Sequence, residues 1–261
     1  LNAPLQELSV AGAWFGVLLY SIQLYYDFSA YSDMAIGLGR MFGFHYHTNF
    51  NYPYLAKSVT DFWRRWHISL GSFFRDYVYI PLGGNRRHQL LNISVVWLLT
   101  GLWHGASWNF VLWGAFYGIL LMVEKLRLLR WLQRIPAVFS HLYLLFITLI
   151  GWTLFYTTDL SRLAGYFQVM FGGSGNPLTD PQLSITFANH LFWLLAALLF
   201  CLPLTQWCKN HLENWVAQDG RGQGRQVLVS IGTAMMNVAL LLVCTALLVG
   251  DSYNPFLYFR F

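Results

Sequence analysis

Charge is what this sequence has least of. Lysine, arginine, aspartate and glutamate make up 10% of its 261 residues, where a soluble globular domain carries about a quarter. A water-facing surface of ordinary size cannot be built from that supply. Cysteine is scarce too: Cys201, Cys208 and Cys244 are odd in number, and none forms a C-x-x-C pair. That argues against a disulfide framework and against a zinc site. Alternating apolar and polar segments of strand length are missing, which excludes a membrane β-barrel. Basic residues outnumber acidic ones, 16 to 11, yet no basic stripe with interleaved aromatics lies outside the apolar runs. Nucleic acid is therefore not an expected partner. There is no signal-peptide succession of basic, apolar and small residues, no internal repeat and no low-complexity segment. The chain starts at Leu1 and reads as the C-terminal portion of a longer protein.

Apolar residues are what remains, 56% of the chain. About five stretches approach or exceed the ~20 residues of helix that cross a bilayer. The expected class is all-α, a polytopic transmembrane bundle forming a single membrane domain over residues 1–261. A first run covers residues 10–26 and continues through "DFSAYSDMAIGLGRMFGF", polar-edged by Asp27, Asp33 and Arg40. Residues 45–60 read as a loop. Ser58 and Asp61 then have capping-box spacing, which predicts a helix from about Thr60. On it Trp63, His67, Leu70 and Phe74 share one face, so a single amphipathic, interfacial helix is expected to run until Pro81. Further spans are expected at 138–157, 186–204 and 227–250, with loops at 158–185 and 205–226.

Residues 89–124 pose a length problem. As one straight helix they would run about 54 Å, against a hydrocarbon core of ~30 Å. Two full spans would need about 40 residues. A broken or re-entrant pair of short helices, turning near His104, fits better. Counting lysine and arginine gives an independent check. Lys57, Arg64, Arg65, Arg75, Arg86 and Arg87 precede the stretch, and Lys125, Arg127, Arg130 and Arg134 follow it. Lys209, Arg221 and Arg225 lie in 205–226, whereas 158–185 has only Arg162. The positive-inside rule then places 57–87, 125–135 and 205–226 in the cytoplasm, with 158–185 and the C-terminal tail outside. The 89–124 stretch must enter and return on one side.

His104 stands in "GLWHGASWNFVLWG", between Gly101 and Gly105. A histidine tucked between helices can simply be satisfied by a carbonyl. Ionisable residues inside membrane spans are nevertheless functional-site candidates by default, and a neutral imidazole suits general-base work near pH 7. His67 has an ordinary place on an interfacial aromatic face. Asn109 and Ser107 are expected to satisfy backbone groups freed at a helix break. "HYH" at 45–47 reads as solvated histidines rather than a metal pair, "GLGRMFG" at 37–43 lacks dinucleotide-binding spacing, and His141 and His190 lie near span ends. The G-x-x-x-G pairs at 12/16, 101/105 and 114/118 are helix-packing surfaces.

"DFSAYSDMAIGLGRMFGF", "NYPYLAKSVTDFWRRWHISLGSFFRDYVYIPLGGNRR", "LLTGLWHGASWNFVLWGAFYG" and the closing "YNPFLYFRF" resemble the membrane-bound O-acyltransferase family, in particular its bacterial alginate O-acetylase branch. The likeness covers most of 22–124 and the tail; 125–250 matches only as apolar spans, and the segment between Arg87 and Leu98 is short for the family. The resemblance implies acyl transfer from a thioester, with no bound cofactor and acetyl-CoA as donor substrate. It places the family's essential tunnel histidine on His104 and its second position on His67. Asp61, Arg64, Arg65 and Arg75 fall in the same block and, with Trp103 and Asn109, are candidates for donor binding or the tunnel mouth. The expected setting is the bacterial inner membrane, with an extracytoplasmic acetyltransferase partner and a polysaccharide acceptor. D-alanyl transfer to teichoic acid on the same motifs, a transporter using His104 as a proton relay, and a scaffold in an export complex remain alternatives. A transporter of that kind usually carries paired broken helices in repeated halves, and no repeat is present.

Overall fold

A computed structural model describes residues 1–217 and 223–250. Arg221 and the closing "YNPFLYFRF" lie outside the described residues. Among those described there is no strand; the regular structure is helical. Leu1–Leu198 form one compact unit, and a second begins at Leu199.

Helix α1 spans Val10–Met41. Ser9 caps it, its hydroxyl accepting the Gly12 N–H at 3.0 Å and donating to Asp180. Short α2, Val59–Trp63, starts where the sequence predicts, with the Ser58 hydroxyl accepting the Asp61 N–H at 3.0 Å. The expected single amphipathic helix is not formed. The chain breaks at His67, which takes a left-handed conformation (φ +47°), and restarts as α3, Ile68–Phe74, running into a π-turn at Arg75–Tyr79. Trp63 and His67 therefore do not share a helical face. The break comes from a distant residue: Asn49 accepts the Ile68 N–H at its carbonyl (2.9 Å) and the Ser69 N–H at its side chain (3.1 Å), so the new helix is capped by another segment.

The 89–124 stretch divides as its length requires, into α4, Gln89–His104, and α5, Trp108–Val123. Sixteen residues make α4 about 24 Å long, short of the hydrocarbon thickness. The hairpin is closed by glycines. A methyl added at Gly101 would collide with the Phe110 carbonyl and stand 3.5 Å from the Gly114 Cα, and one added at Gly114 would collide with the Trp97 carbonyl. Gly105, which the sequence pairs with Gly101 on a helix surface, is instead the residue that ends α4, at φ +156°. Helix α5 passes through a π-turn, Glu124–Leu128, into α6, Leu129–Leu132, so that Trp108–Leu132 is one apolar span of 25 residues.

Helix α7, Ala137–Tyr156, packs on both α1 and α5. The expected loop at 158–185 contains an amphipathic helix, α8, Leu160–Met170, capped by Asp159 and facing inward through Leu163, Tyr166 and Val169. Tyr166 donates to the Ala13 carbonyl at 2.8 Å, and Trp14 Nε1 donates to the Met170 carbonyl at 2.8 Å, which fastens α8 to α1. Helix α9, Pro181–Phe200, runs beside α1: Asp180 meets Ser9 at one end, and Tyr26 donates to the Ala197 carbonyl at 2.6 Å at the other. Hydrogen bonds from Ser161 and Ser9 hold the Asp159 and Asp180 carboxyls below the usual carboxylate range.

In the second unit α10, Leu204–Ala217, occupies most of the expected 205–226 loop, and α11, Gln223–Gly250, is the last span. The Arg225 guanidinium stacks 4.6 Å from the Trp215 ring and donates to the Trp215 carbonyl at 2.9 Å. Among the described residues four helices are long and apolar enough to cross a membrane: 108–132, 137–156, 181–200 and 224–249.

The glycine contact is testable. Gly101→Ala and Gly114→Ala each drive a methyl into a facing backbone carbonyl and are expected to cost about 1–3 kcal/mol. The readout is a lower unfolding temperature in detergent. Gly37→Ala in α1, where nothing lies within 4 Å of the added methyl, is expected to leave that temperature unchanged or raise it.

Candidate functional site

The turn between α4 and α5 takes three residues. Gly105 donates its N–H to the Leu102 carbonyl at 3.2 Å, and Ser107, in extended conformation, starts α5 by accepting the Phe110 N–H at 3.1 Å. His104, the last residue of α4, is thereby held at the bend. Its ring sits among aromatics, with centroids 4.8 Å from Trp103, 5.0 Å from Phe155 and 5.1 Å from Trp113. Among the described residues nothing hydrogen-bonds its imidazole.

Asn109 is fully buried in the first turn of α5. Its amide donates to the Phe155 carbonyl at 3.0 Å and, more weakly, to Leu154 at 3.4 Å. These are last-turn carbonyls of α7, which have no N–H donor within their own helix. Asn109 satisfies freed backbone groups, as its position suggests, but those of a neighbouring helix.

His67 reaches the same place from the α2–α3 break. Its ring packs edge-on to Phe28 at 4.7 Å and lies 5.9 Å from Trp103. Trp103 thus contacts both candidate histidines. Asn49 Oδ1 lies 3.2 Å from His67 Nδ1, and also accepts the Ser69 N–H at 3.1 Å and the Ser69 hydroxyl at 2.9 Å. Asn49 and Ser69 border an open cleft of about 580 Å³ at the end of α1, rimmed by Phe42, Phe44 and Tyr46.

The remaining candidates do not converge on the histidines. Asp61 is engaged by Arg65 at 2.9 Å, one turn along, and Arg64 is exposed. Arg75 pairs with its neighbour Asp76 at 2.7 Å on the exposed π-turn. Behind the site Trp63 packs nearly perpendicular to Trp113 and Tyr117, with centroids 5.4 and 4.9 Å apart. No group of three or more histidine, cysteine or acidic residues placed to hold a metal occurs among the described residues.

One residue at the heart of this arrangement escapes sequence reading. Glu124 is fully buried, and among the described residues it has no cationic partner. Its carboxylate accepts the Val59 N–H at 2.7 Å, the Thr60 N–H at 2.8 Å, the Thr60 hydroxyl at 2.7 Å and the Tyr143 hydroxyl at 3.2 Å. It caps α2 from 64 residues away, and so anchors the segment that leads to His67. The only signal was an acid beside Lys125 and Arg127, which reads as an ordinary membrane flank.

Residues 1–167 match the membrane-bound O-acyltransferase family. The chain belongs to that family. With its apolar spans, it is a multi-pass membrane protein. This acyltransferase-family chain is 36% identical to a probable alginate O-acetylase of Azotobacter vinelandii, an alignment covering 98% of this chain and 56% of that protein. It is 52% identical to a peptidoglycan O-acetyltransferase of Helicobacter pylori over 46% of this chain and 23% of that one. It is 33% identical to a teichoic acid D-alanyltransferase of Bacillus subtilis over 39% of this chain and 28% of that one. The chain spans about half the length of the alginate relatives it matches.

Removing the Glu124 carboxylate deprives two backbone and two hydroxyl donors, buried or partly buried, of their acceptor. Glu124→Ala is expected to lower stability by about 3 kcal/mol, since each orphaned buried donor costs about 1–3. Glu124→Gln keeps one acceptor oxygen and is expected to lose less. Unfolding in detergent, followed by tryptophan fluorescence, checks both.

Proposed function

We propose that this chain carries the acyl-transfer centre of a bacterial inner-membrane O-acetyltransferase, which moves acetyl groups from acetyl-CoA towards an exported polysaccharide such as alginate. The observation that carries the reading is the pairing of His104 and His67. Two segments distant in sequence bring imidazoles against the same Trp103 ring, at a helix break inside an apolar bundle. Identity over nearly the whole chain to an alginate O-acetylase supports acetyl over D-alanyl transfer, which is matched over a smaller part.

The chemistry follows from an imidazole with a free ring nitrogen. His104 takes the proton of the acceptor hydroxyl as that oxygen attacks the thioester carbonyl. The tetrahedral intermediate collapses, the carbon–sulfur bond breaks, and the imidazolium returns the proton to the leaving thiolate. His67 holds the reacting hydroxyl or shares its proton. Lys57, Arg64, Arg65, Arg86 and Arg87 lie on the side that the lysine and arginine count assigns to the cytoplasm, where they offer charge to the phosphates of the donor. The acceptor is a sugar hydroxyl, or a hydroxyl of an extracytoplasmic partner that completes the transfer.

In cells carrying the full-length gene, His104→Ala is expected to abolish acetate esters on the exopolysaccharide, read by mass spectrometry. Protein level and unfolding temperature are expected to stay at wild-type values. Wild-type esterification in that variant overturns the assignment. Purified protein fed isotope-labelled acetyl-CoA is expected to release CoA, and a D-alanyl carrier protein is expected to give no turnover; the reverse pattern favours teichoic acid chemistry.

A further inference from the structure

We infer that Asn49 is a positioning residue that holds His67 in its Nδ1–H tautomer and leaves Nε2 as the lone-pair nitrogen offered to a substrate hydroxyl or amide. The inference deepens the acyl-transfer reading and rests on it for its consequence, though not for its geometry.

The side-chain amide of Asn49 is oriented by an obligate donor. A backbone N–H can only donate, so the atom facing Ser69 N at 3.1 Å must be the oxygen. The Ser69 hydroxyl, 2.9 Å from the same atom, adds a second donor. His67 Nδ1 lies 3.2 Å from that oxygen, and two facing acceptors would repel, so Nδ1 carries the hydrogen. A neutral imidazole has one N–H. Nε2 is then the basic nitrogen, and it is buried with no partner among the described residues.

The surrounding structure enforces this orientation. Asn49 is itself held by its backbone, whose carbonyl accepts the Ile68 N–H at 2.9 Å, while the Asn51 N–H donates to the Arg65 carbonyl at 2.9 Å. Loop 49–51 is therefore stitched to both ends of the turn that contains His67. At φ +47° that histidine occupies a region that non-glycine residues seldom adopt. A relaxed helical His67 would carry its ring elsewhere; the left-handed turn brings Nδ1 to Asn49 while Phe28 and Trp103 confine the ring. An acceptor buried without a donor is costly where water is excluded. Substrate hydrogen donors are what remove that cost.

The test uses full-length protein in lipid nanodiscs, labelled with ¹⁵N-histidine. The His67 ring signals are identified by their loss in His67→Gln. The wild type is expected to show a protonated Nδ1 and a lone-pair Nε2. Asn49→Ala is expected to lose that tautomer preference and to lower kcat about 100-fold, with the donor KM changing little. Asn49→Asp keeps an acceptor oxygen and is expected to restore the tautomer and much of kcat. Ser69→Ala, which leaves the Asn49–His67 bond in place, is expected to keep the wild-type tautomer. An Nε2–H tautomer in the wild type, an unchanged tautomer in Asn49→Ala, or wild-type kcat in Asn49→Ala overturns the inference. Where Asn49→Ala does not fold, the wild-type and Asn49→Asp tautomers decide it. If the protein consumes no acetyl-CoA, the acyl-transfer reading fails while the ring spectra still settle what Asn49 does.

Discussion

The backbone contact between Gly101 of α4 and Gly114 of α5 is the constraint on which the site depends. Two helices in lipid gain nothing from hydrophobic burial against each other, because the acyl chains are equally apolar. What holds them is close packing, and glycine permits the closest. Here the two backbones touch, each glycine lying on a carbonyl of the other helix. With the helices this near, a three-residue turn suffices, and the last residue of α4 is pinned at the bend. That residue is His104.

A turn at membrane depth leaves carbonyl and N–H groups that no water can satisfy. The chain answers with buried side chains that serve as caps at a distance. Asn109 of α5 takes the terminal carbonyls of α7, Asn92 donates to the Gly84 and Arg87 carbonyls ahead of α4, and Glu124 accepts the first N–H groups of α2. Glu124 is the boldest of these, a fully buried acid with no counter-charge among the described residues. Four converging donors offset the desolvation that makes a lone buried carboxylate prohibitive. One consequence is that α2, only five residues long, is held by the same span whose start forms the His104 turn.

This division explains what the sequence discloses. The α4–α5 break is legible because 36 apolar residues are too many for one span and too few for two. The α2 start is legible because Ser58 and Asp61 lie within one turn of each other. The break at His67 is not. Trp63, His67, Leu70 and Phe74 satisfy helical spacing, and only Asn49, eighteen residues earlier, overrides it. Glu124 is invisible for the same reason, its partners lying 64 and 65 residues away. Helices α8 and α10 were hidden differently. They are amphipathic and too polar to span, so a search for long apolar runs passes over them as loops. Asp61 and Arg65 are site candidates on motif alone; the fold adds that they form an ion pair with each other.

The unsatisfied atoms that remain are informative because they differ in kind. The buried indole N–H groups of Trp63, Trp113 and Trp152 lack acceptors, but rings stand close to perpendicular around them, and an aromatic face is a weak acceptor. Buried hydroxyls can rotate. His67 Nε2, in the tautomer inferred above, and Asn109 Oδ1 have neither recourse: both are acceptors to which the described residues bring no donor. One is beside Trp103, and the other is in the turn of helix that follows His104. A site short of donors rather than acceptors is matched by a ligand bearing O–H or N–H groups. A thioester carbonyl alone offers none, whereas an acceptor hydroxyl does. On the acyl-transfer reading proposed above, the imbalance favours a centre in which His67 and Asn109 meet the hydroxyl rather than the acyl donor.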